Sequence, residues 1–199
     1  AIWCGAMFFF PTQTSDPVQQ GFENELLANV EDPMELYLQQ MSDEELEEEY
    51  FTSAYGDAKD LVLEYLKCVD ELMPQSYMEC KHSSRIPSNF YKPEMEDKLL
   101  LLVEKAKEYR EKLSAYKNMP KRVQTVAVRL MLLHTEFVEG LAKVMAIKCL
   151  GKDEEAKIAS KAFFDEFGKN EIAWDRYYDH KQMYQSLSAI FSSKSQVEM

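Results

Sequence analysis

The sequence predicts an all-α protein: a bundle of about five or six mostly antiparallel helices, preceded by one short strand-like segment. Three observations carry this. Beyond residue 20 the apolar residues recur in steps of three and four, the spacing of one helix face. No later stretch has the look of a strand. Glycine (6) and proline (7) are scarce among 199 residues, which suits long helices better than a turn-rich β protein.

The opening stretch, residues 1–20, differs from the rest. Ala1–Phe10 is β-prone and aromatic, with Trp3, Phe8, Phe9 and Phe10 close together, and Pro11 ends it. A lone strand needs a sheet to join, so this stretch is expected to belong to, or lie against, a domain upstream. It has no basic residues before it, no initiator methionine, and too few apolar residues to span a bilayer.

Residues 21–191 form the predicted helical bundle, and 192–199 a polar tail. Within 17–40 the signal is mixed: a helix interrupted at Gly21, then a short one with Asp32 as cap and Pro33 at its first position. Ser42 and Glu45 make a capping box. The run Asp43, Glu44, Glu45, Glu47, Glu48, Glu49 then fills the first turns, where the helix dipole favours negative charge. Leu46, Tyr50 and Ala54/Tyr55 supply its apolar face. Gly56 ends it, and Asp57 is placed to cap the next helix, whose stripe is Ala58, Leu61, Tyr65, Cys68 and Leu72. Pro74 stops or kinks that helix.

Residues 82–92 read as a loop rich in serine and proline, and exposed loops often carry binding residues. Arg85, Asn89 and Tyr91, with Phe90, are the candidate ligand-contacting residues there, beside the plainer reading of a connector. Pro93 opens a helix on which Met95, Leu99, Leu102, Ala106, Tyr109, Leu113 and Tyr116 form a heptad-like seam. After a turn at Asn118 and Pro120 comes the longest helix. Val123, Ala127, Leu130, His134, Phe137, Leu141, Val144 and Lys148 lie on one line of it, up to Gly151. The tight connection predicts an antiparallel hairpin. Asp153 is expected to cap a helix with the face Ala156, Ala159, Phe163 and Phe167. A last helix is expected over about Asn170–Phe191, with Ala173, Tyr177, His180, Tyr184, Leu187 and Phe191 on its stripe.

The net charge of −12 argues against a nucleic-acid backbone or an anionic membrane as partner. Cys4, Cys68, Cys80 and Cys149 contain no CxxC pair. Cys68 and Cys149 fall on apolar stripes, as buried free thiols do. Glu79-x-x-His82 has the spacing of a di-iron ligand pair, but no second such pair completes a site. His134-x-Glu136 lacks the PCxxC of the zinc deaminases, and His134 and His180 read as core histidines. No glycine-rich phosphate loop, nucleophile elbow or HExxH is present, so neither cofactor nor metal is implied. Glu23 and Glu25 are the carboxylates to watch for hydrolysis. Trp174, Tyr177 and Tyr178 offer rings to a sugar face, although their helical spacing marks them first as core.

The stretch from Glu44 to Leu72 resembles the helical segment that follows the catalytic barrel in a family of bacterial glycoside-hydrolase-like proteins. That family is a domain of unknown function related to the alpha-glucuronidases and alpha-N-acetylglucosaminidases. Glu48, Tyr50, Phe51, Tyr55, Gly56, Ala58, Tyr65 and Leu66 carry the resemblance. It departs at Tyr37–Gln40, which runs straight into Met41 and Ser42 where family members carry a Leu-Trp-Asp-Pro-like turn. The resemblance implies that Trp3–Pro11 corresponds to the last strand of a (β/α)8 barrel, with the bundle packed behind it. It also implies carbohydrate as the ligand, and catalytic carboxylates on the barrel rather than in this chain. The expected function is thus a C-terminal helical domain that braces such a barrel and lines part of its cleft rim. The alternative is a non-catalytic helical module that docks a protein partner.

Overall fold

The computed structural model describes residues 42–73, 91–174, 176–177 and 179–192. The strand-like segment, the mixed stretch to Met41, the candidate residues Arg85 and Asn89, and Glu79, Cys80 and His82 lie outside them. Among the described residues the chain is all-helical, with no strand. The helices are α1 (Asp43–Tyr55), α2 (Lys59–Leu72), α3 (Glu96–Ser114), α4 (Arg122–Cys149), α5 (Asp153–Phe167), the single turn α6 (Glu171–Trp174) and α7 (His180–Ser192).

α1 starts where the capping box predicts. The Glu45 amide donates to Ser42 Oγ at 3.3 Å and the Ser42 amide to Glu45 Oε2 at 2.9 Å, satisfying two of the orphan donors of the helix start. Gly56 ends it with φ +50°, a conformation open to glycine at little cost. The joint to α2 differs from expectation. Gly56–Ala58 continues as a 3-10 turn, and α2 begins at Lys59 behind Ala58 with no side-chain cap, so Asp57 does not cap it. The buried faces are also rotated. On α1 Tyr55 is buried while Tyr50 is half-exposed; on α2 the buried line is Val62, Tyr65 and Val69, with Leu61, Cys68 and Leu72 at its margins. The reason is that α1 packs on α4, while α2 packs on α3 and reaches α4 through Tyr65, so the buried arc of α2 is centred between two stripes. α2 stops at Leu72, with Met73 extended before Pro74, the backbone that a following proline favours.

α3 and α4 form the predicted hairpin. Arg129 of α4 donates to the Lys117 carbonyl just after α3, and Arg110 pairs with Glu139, so one index falls as the other rises. Tyr65 of α2 meets both Tyr109 of α3 and His134 of α4, and Gly56 lies against Gln124; α2 therefore runs parallel to α4 and antiparallel to α3. Leu99, Leu102, Ala106 and Leu113 bury the α3 seam as read, joined by Val103.

α4 is the centre of the molecule, packed on α1, α3 and α5. Its first residue on the predicted line, Val123, is 68% exposed, because the helix enters the bundle only at Gln124. From there it is buried almost all round, including Thr135, Glu139 and Lys148. Gly151, at φ +74°, turns the chain back into α5. Lys152 stands at the cap position of α5 without a side-chain capping bond. Asp153 does not cap; its carboxylate is taken by Lys148 at 2.9 Å.

The predicted last helix is two. After a 3-10 turn and α6 the chain turns at residues 176–177, and Asp179 restarts it by accepting the Gln182 amide at 2.9 Å. An aspartate able to cap competes with helix continuation, and here it wins. The buried line of α7 is Met183, Leu187 and Phe191; Tyr184 is half-exposed beside Phe164, and Tyr177 and Ala173 are exposed.

Candidate functional site

Among the described residues a groove of about 640 Å³ lies between α4 and α5, bordered by Arg110 of α3. Gly140 is part of its wall. A Cβ there would stand 2.1 Å from Phe163 Cδ2, so only glycine lets the ring of α5 lie against the α4 backbone. Phe163 stacks on Phe167 at 5.8 Å between ring centroids, and both rings reach Phe137 in the core. With Val144, Ala159 and Ala162 they line the groove with apolar surface.

The rim is charged with both signs. Glu139, largely buried, receives Arg110 at 2.8 Å and Lys143 from the next turn of its own helix. Burial pushes the Glu139 carboxyl up, but Lys143 and Arg110 outweigh it and hold the group below its ordinary range. It is therefore a fixed anion at neutral pH and a poor proton donor. Glu136 is exposed on the same wall, and Glu166, paired with Lys169, faces it from α5. An apolar floor with a rim of alternating charge is the make-up of a protein-contact surface.

Away from the groove, two ionisable side chains meet in the interior. Tyr65 Oη and His134 Nδ1 share a hydrogen bond at 3.0 Å, with the rings of Tyr109 and Phe137 beside them. Full burial lowers the His134 pKa to about 4, so the imidazole is neutral through the physiological range. It is the core histidine the sequence suggests, and Glu136 on the same helix is exposed rather than beside it in a site. His180, half-buried, lies against Gly168.

Of the loop candidates, Tyr91 is described, and it is buried rather than displayed. It is 5% exposed, with Lys148 Nζ 5.0 Å from its ring centroid. Trp174 and Tyr177 do meet, edge to face at 6.0 Å, with Trp174 half-buried and Tyr177 39% exposed. The acidic run of α1 serves partly as a tie: Glu48 accepts from Lys59 across the joint at 2.6 Å, which lowers its pKa.

Sequence reasoning passed over the Arg110–Glu139–Lys143 set and the role of Lys148. The i, i+4 spacing of Glu139 and Lys143 was a visible signal. Arg110 was not, since it depends on the hairpin register. Among the described residues no three His, Cys, Asp or Glu side chains cluster as metal ligands, and no helix is long and apolar enough to cross a membrane. No family model, no curated protein and no solved structure matches this chain.

Proposed function

We propose that this bundle is a non-catalytic docking module, and that the α4–α5 groove is part of the surface it offers to a protein partner. The observation that carries this is the composition of the groove: Val144, Phe163 and Phe167 on its floor, with Arg110, Glu136, Lys143 and Glu166 around it. Its most buried carboxylate, Glu139, is held as an anion between two cations. Catalysis of glycoside hydrolysis requires one carboxyl that keeps its proton near neutral pH. Glu139 does the opposite.

The resemblance of residues 44–72 supplies the specific partner in this proposal: a preceding (β/α)8 barrel of a carbohydrate-active, glycoside-hydrolase-like protein, which the bundle would brace. That specific form rests on the resemblance alone. Two measurements bear on the proposal. The full chain, incubated with chromogenic aryl glycosides, releases no phenol above the buffer rate; release that Glu136→Gln or Glu166→Gln abolishes would overturn the non-catalytic assignment. Repeated βα units encoded directly ahead of Ala1 support the barrel as partner, whereas an unrelated linker there transfers the docking role to a separate protein.

A further inference from the structure

Lys148 occupies a place that no ordinary surface lysine takes. It is 1% exposed, at the last turn of α4, and among the described residues its ammonium meets the start of α5, the end of α7 and Tyr91. Nζ donates to Asp153 Oδ1 at the start of α5 at 2.9 Å and to the Phe191 carbonyl in the last turn of α7 at 3.1 Å. It also lies 5.0 Å from the ring centroid of Tyr91. Each contact answers a physical need. The carboxylate and the ring face compensate a charge removed from water. The carbonyl is one of those a helix leaves without an internal partner at its C-terminal end, where the dipole also favours a cation.

α7 is otherwise held as a strap. It packs chiefly on α5, through Phe191 against Phe164 at 5.7 Å and Tyr184 against Phe164 at 4.7 Å. It is reached through a broken connection, the 3-10 turn, α6 and the turn before Asp179, rather than through a continuous helix. The strap begins at one end of α5 and is tied by Lys148 at the other.

We infer that Lys148 is a lock for α7: a buried ammonium that fixes the end of a releasable helix, whose opening parts Phe191 from Phe163 and Phe164 of α5 and uncovers those rings. The lock works only while the ammonium stays in the interior, so anything that sends it to water frees α7 without dismantling the α3–α4 hairpin.

Hydrogen exchange of the full chain, read by segment, tests this. Lys148→Met keeps the length of the side chain and removes the charge. Asp153→Ala keeps the charge but removes its carboxylate, so the ammonium moves out to water. Either variant is expected to speed exchange of residues 180–192 about ten-fold or more while the middle of α4 stays as slow as in the parent. Lys148→Arg, which retains a cation, is expected to change α7 less than Lys148→Met does. Unchanged exchange in α7, or an equal loss of protection across every helix in either variant, would overturn the lock.

Discussion

Tyr65 and His134 show how a single buried pair ties two helices. The phenol of α2 and the imidazole of α4 are both removed from water and bonded to each other at 3.0 Å. Tyr65→Phe leaves the imidazole nitrogen without its phenol partner, a desolvation cost of about 1–3 kcal/mol. Urea unfolding is expected to show that loss in the midpoint with little change in slope. The sequence showed half of this pair. His134 lay on an apolar line and read as a core histidine with a partner, but the partner is sixty-nine residues away in sequence and no local pattern names it. Lys148 also lay on that line. A lysine there reads as a helix end, and only the meeting of α5, α7 and Tyr91 explains why it is buried.

At the scale of the element, the signals that depend on neighbours in sequence were legible and those that depend on contact were not. The capping box at Ser42 and Glu45, the stop before Pro74, and the hairpin of α3 and α4 all stand where the residues place them. Ser42→Ala is expected to cost about 1 kcal/mol, seen as fraying of α1 while the remaining helices keep their protection from exchange. The rotation of the α1 and α2 faces, and the break before α7, were hidden. In the first case the helices packed against α1 and α2 set the buried arcs; in the second the Asp179 cap overrides a continuous apolar spacing. The groove was hidden for the same reason, because Gly140 matters only when Phe163 faces it. Gly140→Ala sets two effects against each other. Higher helix propensity gains about 1 kcal/mol, and the collision of the new Cβ with the Phe163 ring costs about 1–3 kcal/mol. The ring contacts at 2.1 and 2.4 Å leave no room, so a net loss of stability is expected in thermal unfolding, with altered near-UV dichroism of the aromatic cluster.

For the whole molecule, the response to acid is set by the shifted carboxyls and His134, all of which are lowered. His134 is lowered to about 4 by burial. The unfolded chain, with an ordinary imidazole near pH 6.5, therefore binds a proton that the folded protein refuses. That contribution is fully present above pH ~6.5 and is lost as pH falls toward ~4, by at most about 3 kcal/mol from the separation of the two values. Glu48, Glu108 and Glu139, held low by neighbouring cations, add stability that is present above the ordinary carboxylate range and lost below it. Stability measured by denaturant at a series of pH values is expected to fall steadily on acidification from neutral. A flat profile between about pH 6.5 and 4 would show that His134 is not sealed in the core.

We propose that the ionisable groups buried among the described residues hold the helices together and do not act on a ligand. His134 is the group for which the alternative is sharpest, since histidine is the side chain best suited to proton transfer near neutrality. Its ring signals can be followed by nuclear magnetic resonance in the full chain as pH is lowered, in the parent and in Tyr65→Phe. A neutral ring with no midpoint between about pH 5 and 8 is expected, with ring shifts that change when the Tyr65 hydroxyl is removed. A midpoint near the ordinary value, indifferent to Tyr65, would contradict it.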